Sequence, residues 1–223
     1  MTAILIEKVL PDDALAALRR TIAGGPYVAG RSTAVGAAGR LKHNLQLAHT
    51  SPSAGKAAEL LLSVLNQSSA FQSATWIEAM MTPMFCRYEP GMNYGDHIDG
   101  AIMGEPPELV RCDVAVTICL NDAADYEGGE LVIDAAGLPR VWKGNGGDCV
   151  VYPADTLHRV QPVTRGTREV AVMWIQSLVR DPGMRRILFD LRAVLEELDR
   201  SATTGPHIET LRRSYFNLIR MWA

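Results

Sequence analysis

The chain reads as a mainly β protein with flanking helices, its β region a sandwich or jelly-roll barrel. Three observations predict this. From Trp76 to Ser177, apolar runs of strand length follow one another, separated by Gly, Pro, Asn and Asp. That is the pattern of many short strands joined by tight turns. On both sides of this region, apolar residues recur at helical spacing. Finally, 48% hydrophobic against 21% charged residues over a chain of 223 suits a packed core and excludes global disorder.

Residues 3–9 (Ala-Ile-Leu-Ile-Glu-Lys-Val) predict a short strand. Pro11-Asp12-Asp13 predicts a helix start, with proline in the first turn and acids at the positive end of the dipole. Leu15, Leu18 and Ile22 keep the helical spacing, and Gly24-Gly25-Pro26 ends it. Residues 29–40, rich in Gly, Ala, Ser and Thr, predict a loop. Residues 40–47 alternate apolar and polar and predict a strand, and residues 53–68 a helix with Ala57, Leu60, Leu61, Val64 and Leu65 on one side.

Strands are expected at 80–88, 113–120, 130–133, 140–142, 149–152, 158–162 and 168–176, with tight barrel turns at Gly128-Gly129 and Gly146-Gly147. Met184, Ile187, Leu188, Leu191, Val194, Leu195 and Leu198 predict a helix, and a second follows Pro206 up to Trp222. These elements divide the chain into 1–75, a strand and helix region packing on the core; 76–178, the barrel; and 179–223, a helical extension suited to covering a sheet face or making a homo-oligomer contact.

A net charge of −3 and a pI near 6.0 offer no attraction for nucleic acid or an anionic membrane. No uncharged apolar run approaches the ~20 residues that span a bilayer. The N-terminus lacks a basic start followed by an apolar run, so no secretory signal and a cytoplasmic location are expected. Cys86, Cys112, Cys119 and Cys149 form no C-x-x-C pair and sit in apolar or strand-like segments, as reduced core cysteines do.

The chemistry concentrates in Tyr94-Gly-Asp96-His97-Ile98-Asp99. On an extended strand His97 and Asp99 point the same way. Downstream, Tyr152-Pro-Ala-Asp-Thr-Leu-His158 supplies a second imidazole. Two imidazoles and a carboxylate hold non-haem Fe(II) on one face and leave the opposite positions open; the same trio also suits catalytic zinc. An isolated H-x-D is more simply a core histidine bonded to an aspartate that opens a turn at Gly100. Arg168 shifts that balance. It lies ten residues after His158, past the turn Val163-Thr-Arg-Gly-Thr167, which predicts adjacent antiparallel strands carrying His158 and Arg168. A guanidinium facing the same interior needs an acid, and a carboxylate-bearing cosubstrate fits its fork in two bonds.

H-x-D, some sixty residues, H, then ten residues to R resembles the Fe(II)/2-oxoglutarate-dependent dioxygenases of the prolyl 4-hydroxylase type. The resemblance narrows to the bacterial PKHD-type hydroxylases (PiuC-like proteins). It is carried by Lys42-His-Asn-Leu-Gln-Leu47, Arg87–Asp99, Tyr126-Glu-Gly-Gly-Glu-Leu131, Tyr152–Arg168 with Trp174–Asp181, and the helical C-terminal region, so it covers nearly the whole chain. It implies a double-stranded β-helix core, Fe(2+) on His97, Asp99 and His158, and O2 as co-reactant. By the same resemblance 2-oxoglutarate takes two metal positions through its 1-carboxylate and 2-oxo oxygens, Arg168 grips its 5-carboxylate and Tyr88 helps hold it. L-ascorbate is implied as an accessory.

The expected reaction hydroxylates an unactivated C–H bond of a small-molecule or peptide substrate while 2-oxoglutarate becomes succinate and CO2. Related halogenases lack the carboxylate so that chloride can bind the metal; retention of Asp99 favours hydroxylation. Asn44, Gln46 and Tyr94 are candidate substrate or cosubstrate contacts, and Trp174 and Trp142 candidate core or pocket walls. The family usually carries Asn where this chain has His43, and Asn near Gly100. His43 is therefore expected at the substrate entrance and not on the metal. A silent jelly-roll binding module and a zinc hydrolase are the alternatives.

Overall fold

The computed structural model describes residues 3–33, 37–107, 109–134 and 137–223. Residues 34–36 of the expected loop and the first two residues of the N-terminus lie outside them. The N-terminal region alternates strands and helices: β1 (Ile4–Ile6), α1 (Asp12–Ala23), β2 (Tyr27–Ala29), α2 (Ala37–Leu41), β3 (Lys42–His43), β4 (Leu45–Leu47), α3 (Pro52–Leu65) and α4 (Ser69–Thr75). Strands follow: β5 (Ile77–Met80), β6 (Met84–Tyr88), β7 (Asn93–His97), β8 (Ile102–Met103), β9 (Val110–Arg111), β10 (Val114–Cys119), β11 (Tyr126–Gly128), β12 (Leu131–Asp134), β13 (Pro139–Trp142), β14 (Cys149–Pro153), β15 (Leu157–Val160), β16 (Val163–Gly166) and β17 (Arg168–Ser177). The chain ends in α5 (Pro182–Arg200) and α6 (Pro206–Trp222).

Two antiparallel sheets face each other. The larger runs β1-β14-β10-β17-β6-β4-β2, with β5 also on β17; the smaller runs β13-β12-β15-β7-β3. The N-terminal region thus contributes strands to both sheets. Side chains alternate across the larger sheet. Phe85, Val116, Ile118, Val151, Met173 and Ile175 point outward and meet Leu18, Ile22, Leu61, Leu65 and Phe71 of the helices. Cys86, Tyr88, Ala115, Val150, Tyr152 and Val170 point inward, toward Leu131, Ile133 and Val160 of the smaller sheet. β10 is buried on both faces throughout, which explains its continuous apolar run. α5 and α6 close a third cluster around Val179, Leu188, Leu195 and Tyr215.

Several expectations are corrected. The loop at 29–40 contains a 3-10 turn (Gly30–Thr33) and α2. The strand expected over 40–47 breaks at Asn44, so β3 joins the smaller sheet and β4 the larger. The helix expected to reach residue 68 stops at Leu65, and Ser68 starts α4 by accepting the Phe71 N–H at 3.3 Å. The strand expected over 80–88 divides into β5 and β6 around Pro83, which has no N–H to give a ladder.

The segment expected as a turn at 163–167 is mostly β16, paired with β11. It carries the chain from one sheet to the other, so β15 and β17 are not neighbours: His158 and Arg168 belong to facing sheets. Gly146-Gly147 is a turn as expected. Gly128-Gly129 is instead an irregularity in the β11–β16 pairing, with φ of 70° and 67°. Any Cβ there would meet neighbours: at Gly128 the Pro162 carbonyl oxygen at 2.1 Å, and at Gly129 the Arg168 Cδ at 3.1 Å.

Candidate active site

The site lies between the sheets, where β7 and β15 run antiparallel with His97 directly opposite His158. Both imidazoles are buried, and their ring centroids are 4.1 Å apart. Each is held by its own strand. His97 Nδ1 lies 2.8 Å from the Gly95 carbonyl oxygen and His158 Nδ1 2.9 Å from that of Thr156. Each Nδ1–H therefore donates to backbone and leaves the Nε2 lone pair facing the interior, as second partners of metal-binding histidines do. The Tyr94 ring stacks on His97 at 3.5 Å and 16°, and Tyr152 meets the His158 ring edge-on at 5.3 Å.

Asp99 does not continue the strand. β7 pairing stops at His97, and Asp99, one residue past the exposed Ile98, brings its carboxylate to both rings. Its Oδ1 is 3.8 Å from His97 Nε2 and its Oδ2 3.8 Å from His158 Nε2. These are too long for hydrogen bonds. The three donors thus converge on a shared point instead of satisfying one another, and all lie within 4.8 Å of each other. Burial, reinforced by His158, pulls the His97 pKa down to about 4. Burial raises the Asp99 carboxyl above its usual range, opposed by His158, by the Trp174 indole and by Lys42. A neutral imidazole and a carboxylate short of positive partners fit a cation, and the two-nitrogen, one-oxygen donor set fits Fe(II).

Arg168 opens β17 opposite Tyr88 of β6. Alternation sends Arg168, Val170, Val172 and Trp174 toward the interior. Arg168 is 2% exposed, and its guanidinium carbon lies 5.1 Å from the Tyr88 ring centroid. Among the described residues it forms no ion pair. A cavity of about 600 Å3 joins it to His97, Asp99 and His158, with Tyr88, Tyr94 and Trp174 in its walls. The Trp174 indole N–H is buried beside Asp99, with no partner at hydrogen-bond distance among the described residues. Trp142, opposite Leu131, packs against the inner core and does not line the cavity.

Three further candidates, His43, Asn44 and Gln46, are not among the residues lining the cavity. His43 is exposed, because β3 alternates and Lys42 takes the inward direction. Asn44 is buried behind the wall, its Oδ1 so close to Gly30 that a Cβ there would sit 1.9 Å away. Gln46 is opposite Cys86 on the inward side of the larger sheet, one layer from the cavity, where its Nε2 meets Cys86 Sγ at 3.5 Å and Met84 Sδ at 3.6 Å. Lys42, Cys86, Thr117 and Tyr152 line the cavity without having been singled out.

Sequence comparison agrees with this geometry. The 2OG-Fe(II) oxygenase superfamily profile matches residues 83–176, and that of the PKHD-type hydroxylase C-terminal domain matches residues 183–223. A PKHD-type hydroxylase of Hyphomonas neptunium is 43% identical over 98% of this chain and 97% of its own. The chain belongs to the PKHD-type hydroxylase family. A second relative, from Methylobacterium nodulans, is 39% identical over the same shares.

A Pseudomonas putida prolyl-4-hydroxylase shares the fold of this PKHD-type hydroxylase at a TM-score of 0.51 and 20% identity, over 78% of this chain and 92% of that one. So does the viral collagen prolyl hydroxylase of Paramecium Bursaria Chlorella virus-1, solved with 2OG, at 0.51 and 18%, over 79% and 97%. The family is one of 2-oxoglutarate-dependent hydroxylases, which use Fe(2+), 2-oxoglutarate and O2. No helix among the described residues is long and apolar enough to cross a membrane.

Proposed function

We propose that this PKHD-type hydroxylase inserts oxygen into an unactivated C–H bond of a small substrate or peptide side chain, converting 2-oxoglutarate to succinate and CO2. The observation that carries this is Arg168: a buried arginine with no ion pair among the described residues, sharing one cavity with two histidines and an aspartate. An isolated buried charge is costly, and a dicarboxylate reaching from the metal site supplies the missing partner.

His97, Asp99 and His158 hold Fe(II), which when bound supplies the oxygen-activating chemistry. The Gly95 and Thr156 carbonyls fix both imidazoles in the tautomer that binds. Arg168 orients the cosubstrate through its 5-carboxylate, with Tyr88 beside it able to donate a phenolic O–H. Trp174 offers its free N–H near Asp99. The apolar inner core around these groups keeps water from them.

Arg168→Ala tests the clamp. A charged hydrogen-bonded contact is worth about 1.5–3 kcal/mol, so the 2-oxoglutarate requirement should rise roughly ten- to hundredfold. An unchanged requirement in steady-state succinate assays removes Arg168 from the cosubstrate site.

A further inference from the structure

The cavity holds a second buried cation. Lys42 sits on β3 at the edge of the smaller sheet, opposite Tyr94 of β7, and is 8% exposed. Its ammonium lies 5.4 Å from the centroid of the Tyr94 ring, which itself stacks on His97. Lys42 therefore enters the cavity from the metal-binding sheet, whereas Arg168 enters from the facing one. Among the described residues it forms no ion pair.

Its hydrogen bonding is incomplete among the described residues. Thr33 Oγ1 lies 3.1 Å from Lys42 Nζ. The Thr33 hydroxyl proton is directed to Gln46 Oε1 at 2.6 Å or the Gly30 carbonyl at 2.9 Å, so its oxygen accepts from Lys42. An ammonium carries three donors. One is used on Thr33 and one side rests on an aromatic ring; the rest have no partner among the described residues, and Lys42 lines the cavity.

We propose that Lys42 binds a carboxylate on the prime substrate, and that this substrate joins its acidic group to an apolar body. The assignment rests on the 2-oxoglutarate reading above, in which the metal and Arg168 take both carboxylates of the cosubstrate and leave Lys42 unclaimed. The apolar body follows from the rest of the lining. Met81, Met84, Met103 and Val172 form adaptable walls, and Ile98 and Ile102 stand 56% and 64% exposed at the rim. Exposed large apolar side chains at a cavity mouth are suited to being covered by a ligand.

The test uses octanoate and octanamide, which differ only in the charged group. Binding is measured by calorimetry on the full chain loaded with Fe(II) and 2-oxoglutarate without oxygen, so that no turnover occurs. The wild type should bind octanoate at least tenfold more tightly than octanamide. Lys42→Arg should keep that preference. Lys42→Met should erase it while octanamide still binds, which shows that the cavity is intact.

Equal affinities in the wild type, no octanoate binding at millimolar concentration, or a preference that survives Lys42→Met would each overturn the assignment. A Lys42→Met chain that loses 2-oxoglutarate affinity tenfold with the octanoate preference intact would place the ammonium on the cosubstrate and overturn it too. Failure of the oxygenase reading is separate: it appears as absence of succinate with Fe(II) and O2, not in a binding ratio.

Discussion

His97 and Asp99 are separated by one residue, yet the strand ends between them. Ladder pairing stops, but the alternation goes on: His97 is buried, Ile98 is exposed and Asp99 points back to the site, as an extended chain predicts. What the six-residue stretch does not contain is His158, which the pairing of β15 with β7 brings opposite His97. Replacing His97, Asp99 or His158 by Ala removes one of three donors. Each variant should lower bound iron and bring 2-oxoglutarate turnover to background, read by metal analysis and succinate formation together; a variant with full iron and turnover would remove that residue from the centre.

His97 also makes a pH prediction. Its pKa falls from about 6.5 to about 4 on folding. Between those values the unfolded chain takes up a proton that the folded chain refuses. The metal-free protein should thus lose stability as pH falls from about 6.5 to about 4, by roughly 3 kcal/mol at most. Asp99, whose carboxyl is raised, works in the opposite direction. Comparing urea midpoints of wild type and His97→Asn at pH 7 and pH 5 isolates the histidine. The decline should be smaller in the variant, and equal declines would contradict the assignment.

At the scale of elements, most of the framework is legible because its signals are local. Helical spacing and proline starts predict α1, α3, α5 and α6, and alternating or continuous apolar runs predict β10, β14 and β17. Pairing is not local. The path of β16 between sheets separates β15 from β17, and the break at Asn44 sends β3 and β4 to different sheets. These two facts decide which cations face the cavity, and neither leaves a mark in periodicity. The paired glycines show the same limit: Gly128-Gly129 looks like a turn but lets backbone pass close to Arg168. Gly129→Ala would impose a positive φ on an L residue, at about 1–3 kcal/mol, and crowd Arg168 Cδ. It should lower the unfolding midpoint and raise the 2-oxoglutarate requirement together. A stability loss with an unchanged requirement would show that Arg168 does not depend on that close approach.

At the scale of the molecule, helices α1, α3 and α4 cover one face of the larger sheet and leave the other to the cavity. The same strands thus carry stability on their outward residues and chemistry on their inward ones. β17 shows it most plainly: Ala171, Met173 and Ile175 pack under the helices, and Arg168 and Trp174 face the site. The metal trio and Arg168 were legible as types and spacing; Lys42 was not, because its role depends on which sheet β3 joins. The whole arrangement comes to a test in the anaerobically purified chain, reconstituted with Fe(II) or with Zn(II), given 2-oxoglutarate and O2, and assayed for succinate. An iron-dependent hydroxylase forms succinate with Fe(II) and none above background with Zn(II). No succinate with Fe(II), or equal amounts with both metals, would contradict it.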